Sequence, residues 1–428
     1  MSNTLNWITT RRVGVWLVYS ALALAAFVFL SRTFLPSLTA MTHSYPSYYL
    51  ASRLVVQGRW TPQVYDDAWY SAQLLELTNG QISDAYSVQP PPTAFLFVPI
   101  AWLDLIPSRI VWQFLNLALL ISAVGLLWNA LAIRDPMWRA LVLAGAFLFP
   151  PVRENFRVAQ VYVLMLFLFA LALWSELRAQ SVPHQRAWVT GLALAIAMSF
   201  KLSGALLWVM LAARARWRTL FAAAVVTVGI AIFSFLLLGA RVWQIFFARA
   251  LGVANQGPIG AHVAYQTTPS FFQHLFTVST AYNPTPLFNA PSLVIPLTLI
   301  TALFAIGIMV YVCRAAPIEL AFAAAVTLSV IFFPLAIEYH YPLLLLPLAV
   351  MGARVLAARK TMDTLVCALI LLLMYLPINW NDPFWNEPAW TLFAYPRLYG
   401  GWVLWLWLLK QMLSPSAARR VSPLGATQ

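Results

Sequence analysis

Apolar runs long enough to cross a hydrocarbon core, about 20 residues each, recur from residue 13 to residue 413 of this chain. Val13–Leu35 is the first. It is too long for the apolar core of a signal peptide, and no small-residue cleavage site clearly follows it. The second half is regular, with runs at Thr219–Ala240, Leu293–Cys313, Ile318–Ile337, Tyr341–Leu356, Leu365–Trp380 and Pro396–Leu413. The middle is less so, with shorter runs near 93–103, 109–131, 140–151, 158–175 and 187–213. Lys201, directly after Phe200, interrupts the last of these and splits it into two half-spans. Such pieces are tolerated at membrane depth only where they line a cavity or pack on protein. The pattern predicts an all-α polytopic membrane protein with roughly eleven to thirteen spans. Residues 1–413 form one integral domain, and 414–428 a disordered cytoplasmic tail.

Polar stretches separate the runs. The first, Ser37–Pro92, is followed by 241–290 and by a Trp-rich stretch at 381–395. Within the first, the spacing predicts a helix over Pro46–Gln57, stopped by Gly58, and a second over Ala68–Leu77 before Asn79-Gly80. Both are too short to span and are expected to lie along the membrane surface. Arg11 and Arg12 precede the first run, and Arg214, Arg216, Arg218, Arg314, Arg359, Arg419 and Arg420 fall on the same side of the later ones. The positive-inside rule then puts the N-terminus in the cytoplasm and the three polar stretches outside.

The net charge of +13 adds little to this. It comes from Arg flanking apolar runs, Lys is confined to Lys201, Lys360 and Lys410, and no basic stripe interleaves with aromatics. Nucleic acid is therefore not an expected partner. Cys313 and Cys367 lie inside apolar runs, so neither a disulfide nor a metal site is expected. The absence of a convincing internal repeat weighs against a transporter built from inverted halves.

With only 9% of residues charged, the placement of polar groups is informative. Asp66, Asp67, Glu76, Asp84, Glu154, Glu338, Asp382 and Glu387 map to the outer side or a cavity, as do His43, His262, His274 and His340. That asymmetry fits an enzyme at the outer leaflet. A lipid-linked phosphate would be met by cationic or donor groups, for which Arg53, Arg153, Arg157, Lys201 and His340 are candidates. An acceptor hydroxyl would need a base, for which Asp66, Asp67 or His43 could serve. Structural readings stand beside these. Asp66-Asp67 could cap the helix that follows, Arg53 could snorkel, Arg153 could pair with Glu154, and His340 could pair with Glu338. Lys201 is harder to explain structurally, because a cation amid apolar residues is costly unless it lines a cavity or reaches an interface.

The order of motifs resembles glycosyltransferase family 87, the DUF2029 group. That family's Asp-Phe-x-x-Tyr-Tyr-x-x-(Ala/Ser)-Arg-Leu corresponds to Ser44-Tyr45-Pro46-Ser47-Tyr48-Tyr49-Leu50-Ala51-Ser52-Arg53-Leu54, followed by Gly58 and Val64-Tyr65-Asp66. Further matches are Pro91-Pro92-Thr93, Asn155 to Gln160, Gly191 to Lys201, Tyr265-Gln266-Thr267, and Pro334 to Tyr341 with His340 aligned. The resemblance implies a GT-C fold and inverting, metal-independent transfer, with no cofactor. The sugar would come from a polyprenyl-phosphate donor, as in the polyprenyl-phosphate-mannose-dependent mannosyltransferases of the family. The acceptor would be an envelope glycolipid or glycan at the outer face of a bacterial plasma membrane. It also implies that Tyr48, Tyr49, Gln160, Gln266 and Glu338 bind substrate. Two departures stand out. The family's first-loop Asp, its apparent base, is Ser44, which cannot take a proton as a carboxylate does. The family's glycine before Gln is Ala159. The base is expected to have moved to Asp66, Asp67 or His43. The alternatives are a non-catalytic protein that binds lipid-linked sugar, or a transporter or flippase.

Overall fold

A computed structural model describes residues 2–86, 89–178, 183–252, 257–380 and 382–414. The tail expected beyond Ser414 lies outside them. Among the described residues, regular structure is helical, with one isolated bridge between Ser279 and Asn283. The helices that build the molecule run in chain order. They are α1 (Ser2–Phe29), α2 (Tyr45–Val56), α3 (Asp67–Leu77), α4 (Leu105–Ala130), α5 (Pro136–Leu148), α6 (Pro150–Val158), α7 (Tyr162–Leu177), α8 (Pro183–Phe200) and α9 (Ala205–Ala213). There follow α10 (Trp217–Leu238), α11 (Ala240–Gly252), α12 (Thr268–Phe276), α13 (Val294–Cys313), α14 (Ile318–Ile331), α15 (Leu345–Ala358), α16 (Thr361–Tyr375) and α17 (Pro396–Leu413).

Among the described residues, five stretches are long and apolar enough to cross a membrane, at Gly14–Ser37, Leu105–Ala130, Trp217–Leu238, Pro291–Cys313 and Glu338–Ala358. Shorter apolar helices, among them Pro136–Leu148, Tyr162–Leu177, Ile318–Ile331 and Thr361–Tyr375, fill the spaces between them. The protein is an all-α polytopic membrane protein. The expected count of eleven to thirteen included partial spans among the full crossings. Ile318–Ile337 is one such piece. Its helix stops at Ile331, because Pro334 can neither donate to the ladder nor leave the residue before it helical. The chain turns and resumes in a 3₁₀ helix over Glu338–Leu344 that leads into α15.

Burial separates the apolar helices into two kinds. Every side chain of α14 from Leu320 to Ile331 is buried, so this helix is core. In α10 and α13 large apolar side chains face outward, with Leu236 74% and Phe304 70% exposed, which suits lipid rather than water. Small residues let helix backbones meet, as they do in membranes generally. A Cβ at Gly191 of α8 would stand 2.6 Å from Ala222 Cβ of α10, and one at Gly401 of α17 would stand 2.5 Å from Ile331 Cγ2.

The first outer segment is tied down by buried polar contacts. Arg109 of α4 donates from Nε to Ser37 O at 2.7 Å and from Nη2 to Arg157 O at 2.8 Å. This joins the end of the first span to α6. Arg153 does not pair with Glu154. It donates to Thr33 Oγ1 at 3.2 Å, and Glu154 instead pairs with Arg157 one turn on, at 2.6 Å.

Candidate active site

Where α8 ends, Lys201 takes an extended conformation and a short 3₁₀ turn over Leu202–Gly204 starts α9. The break places the lysine beside the first outer segment, where Nζ donates to Gln89 Oε1 at 2.7 Å. Nζ also lies 5.4 Å from the Tyr48 ring centre and 5.8 Å from that of Tyr162. Among the described residues no carboxylate forms an ion pair with it. Nζ meets one amide oxygen and two aromatic faces, with Asp84 acting on it from the same cavity wall, an arrangement open to an anion.

A cavity of about 690 Å³ opens at this point. Its polar wall comes from His43, Ser44, Ser47, Tyr48, Asp84 and Gln89 of the first outer segment, with Gln160, Lys201, Tyr265, Tyr339 and His340. Its apolar part comes from Leu202, Ala205 and Leu206, from Ile306 of α13, and from Leu328, Phe332 and Phe333 at the end of α14. A cavity with a polar wall and an apolar lining made by membrane helices matches an amphiphile with an anionic head.

Position 44 is unusual in its backbone. Ser44 has φ 82° and ψ −71°, the strained geometry of a classic γ-turn, just before α2. The turn aims its N–H at Asp84, whose Oδ2 accepts at 3.0 Å, while Oδ1 accepts from Ala85 N at 2.8 Å. The Ser44 hydroxyl lies 2.9 Å from His43 Nδ1. A carboxyl group therefore stands next to Ser44, supplied by a residue forty positions downstream. Both bonds come from backbone N–H groups, and together they hold the carboxyl group in place.

Gln160 follows Ala159, which caps α6 in the left-handed region at φ 52°. That conformation explains why glycine suits this position, since a Cβ there costs roughly 1 kcal/mol. Gln160 Oε1 accepts from the buried Tyr48 hydroxyl at 3.0 Å. Burial, the largest influence, raises the Tyr48 pKa well above 10, so it acts as a neutral donor. His340 stacks against Tyr162 and Tyr339, at ring-centre distances of 4.1 and 4.7 Å. Its Nδ1 is held 3.2 Å from Ile337 N, which leaves the other ring nitrogen for a ligand.

Of the residues singled out from sequence, the structure brings His43, Ser44, Tyr48, Gln160, Lys201 and His340 to the cavity. The others have different surroundings. Asp66 caps α3, accepting from Ala68 N and Trp69 N at 3.0 Å. Asp67 is exposed and pairs with Arg249 at 2.9 Å. Arg53 donates to Ala101 O at 2.6 Å, and the Tyr49 hydroxyl to Leu103 O at 2.6 Å. Arg157 is held by Glu154. Gln266 is buried and donates to Val263 O and Ala394 O. Glu338 pairs with Arg397 at 2.8 Å rather than with His340. Asp84 and Gln89 were not singled out as site residues. Asp84 was one of eight acids assigned to the outer side, and it is the one among the four in the first outer segment that reaches the cavity wall.

The chain matches the model of glycosyltransferase family 87 over residues 88–337, more than half its length. Gln89, Gln160 and Lys201 fall inside that window; Ser44, Asp84 and His340 fall outside it. A polyprenol-phosphate-mannose-dependent alpha-(1-2)-phosphatidylinositol mannoside mannosyltransferase of Mycolicibacterium smegmatis is 31% identical over 130 residues, covering 27% of this chain and 28% of the relative. The chain thus spans little more than a quarter of the length of that relative. No solved structure matches. The family match and the apolar helices together make this chain a member of glycosyltransferase family 87, a membrane glycosyltransferase.

Proposed function

We propose that the enzyme transfers a sugar from a polyprenyl-phosphate donor to a hydroxyl of an envelope glycolipid or glycan, within a GT-C-type architecture. The reaction takes place at the outer face of a bacterial plasma membrane, with the N-terminus inside. The observation that carries this reading is one cavity holding a cation that forms no ion pair among the described residues, an imidazole and a carboxylate, next to an apolar lining. Lys201 and His340 hold the phosphate and stabilise the charge that builds on it as it leaves. The prenyl chain lies along Leu206, Ile306 and Leu328. Asp84 takes the proton from the acceptor hydroxyl. The acceptor oxygen bonds to the anomeric carbon, and the bond from that carbon to the phosphate oxygen breaks. Polyprenyl phosphate departs with the electron pair. Attack opposite the leaving group inverts the anomeric centre. His43, hydrogen-bonded to Ser44 beside Asp84, is the alternative base.

The test is transfer from radiolabelled polyprenyl-phosphate mannose, arabinofuranose and glucose by the purified protein. One donor is expected to be consumed, and Asp84→Asn to lower turnover by about 10²- to 10⁴-fold with donor binding kept. Failure with all three donors overturns the reading. The serine at position 44 favours a second one, in which the protein binds lipid-linked sugar without transferring it. Donor binding with no turnover, in wild type and Asp84→Asn alike, would establish that instead.

A further inference from the structure

Arg397, at the start of α17, is 1% exposed and stands outside the cavity lining. It pairs with Glu338 at 2.8 Å, donates to Leu376 O at 3.3 Å and lies 5.3 Å from the Trp380 ring centre. Trp380 Nε1 donates to the second Glu338 oxygen at 3.1 Å. Glu338 opens the 3₁₀ turn that carries His340 two residues later. The same short segment is gripped from the other side. Gln266 N donates to Ala336 O at 3.2 Å, and the Tyr341 hydroxyl donates to Gln266 O. Between these two anchors, Ile337 N holds His340 Nδ1.

Arg397 is poorly built for stability. Among the described residues its Nε and Nη1 have no hydrogen-bond partner, and a buried, half-satisfied ion pair is commonly matched or bettered by apolar residues of the same volume. What the pair does fix is the backbone at 337–338, and with it the imidazole. We infer that Arg397 is a positioning residue, acting through Glu338 and Trp380 to set His340 against the cavity. This rests on the reading of His340 as a donor-binding group.

Two measurements on the full-length protein test it. The first is the rate at which diethyl pyrocarbonate modifies His340, followed by peptide mass spectrometry, which needs no donor or turnover. Arg397→Met is expected to raise that rate about tenfold and Arg397→Lys to restore part of the protection, since only an arginine fork reproduces the pairing fully. An unchanged rate in Arg397→Met, with the variant folded by its thermal midpoint, overturns the proposal. Should Arg397→Met fail to fold, the neutral pair Glu338→Gln with Arg397→Met is measured against the same criterion. The second is a double-mutant cycle on the binding of farnesyl phosphate. Arg397→Met should weaken binding about tenfold in the wild-type background and under about twofold in His340→Ala, because effects that act through one residue do not add. Equal losses in both backgrounds overturn the proposal. If wild type does not bind farnesyl phosphate at all, the donor reading of the cavity fails, while the modification rates still decide the role of Arg397.

Discussion

The first and second polar segments, 37–92 and 241–290, both carry histidines and both follow a membrane helix, yet they dispose most of their polar groups differently. The first turns Asp84, Ser44, His43 and Gln89 to the cavity, and the partners of Asp84 and Gln89 leave room for more. The second sends Tyr265 to the cavity wall and bonds other polar groups to its own backbone. Asn283 donates to His274 O and Thr277 O at 2.6 and 2.9 Å, His262 Nδ1 accepts from Ala264 N at 2.9 Å, and His274 is fully buried. Polarity between membrane helices therefore marks two different jobs. A group bonded to the backbone of its own loop shapes that loop. A group gripped across segments, with capacity left facing a cavity, is placed for a ligand.

Substitutions can break or sharpen this contrast. After Asp84→Asn, Lys201→Met should have the next largest effect. Loss of a charge-assisted contact worth about 1.5–3 kcal/mol should weaken binding of an isoprenyl phosphate by about 10- to 100-fold, with the thermal midpoint unchanged or raised. Equal binding would move the cation out of the site. The second segment should respond in stability and not in transfer. Burial depresses the His274 pKa to about 4, so the folded protein keeps this imidazole neutral while the unfolded chain takes a proton near pH 6.5. Stability is thus fully present above that pH and falls as the pH drops toward 4. At pH 5 the loss should be on the order of 2 kcal/mol. His274→Phe should abolish that part of the acid sensitivity, read by thermal unfolding at pH 7 and pH 5. A matched slope in the variant would contradict the assignment.

The smallest effects belong to the acids that sequence put forward as bases. Asp66→Ala removes a helix cap and should cost about 1 kcal/mol of stability, with donor turnover kept within about twofold of wild type. Asp67→Ala breaks an exposed ion pair worth about 0–1 kcal/mol. A large loss of turnover in either would return the base to the start of α3 and undo the distinction between the two segments.

Much of the frame was legible because it rests on local rules. The helices at Tyr45–Val56 and Asp67–Leu77 fall within a residue or so of where proline, glycine and apolar spacing set them, but the first is mostly buried within the protein and does not lie along a surface as expected. The break after Phe200 follows from the cost of a lysine in an apolar run. Pro396–Leu413 falls where its apolar run does. The site was legible in part. Lys201 and His340 stand out because each is a polar group that a membrane helix would not carry without use. Asp84 does not stand out, since it lies in an irregular stretch with no periodicity, and its link to Ser44 spans forty residues. The capping reading of Asp66 was available from the start, and only the observed bonds to Ala68 and Trp69 chose it. The pairing of Glu338 with Arg397, fifty-nine positions apart, had no local signature at all.

The discontinuity at Lys201 also has a bearing on how the chain is made. Nine residues of α9 reach only about 14 Å, less than half of the hydrocarbon thickness of about 30 Å. Neither this piece nor a segment with a lysine near its centre satisfies the insertion machinery as an independent hydrophobic stop. Gly191 lets the α8–α9 unit pack closely against α10, where a Cβ at that position would stand 2.6 Å from Ala222 Cβ. Insertion of α8 to α10 as a group is therefore the expected route, and a chain truncated before residue 217 should fail to hold Lys201 in the membrane.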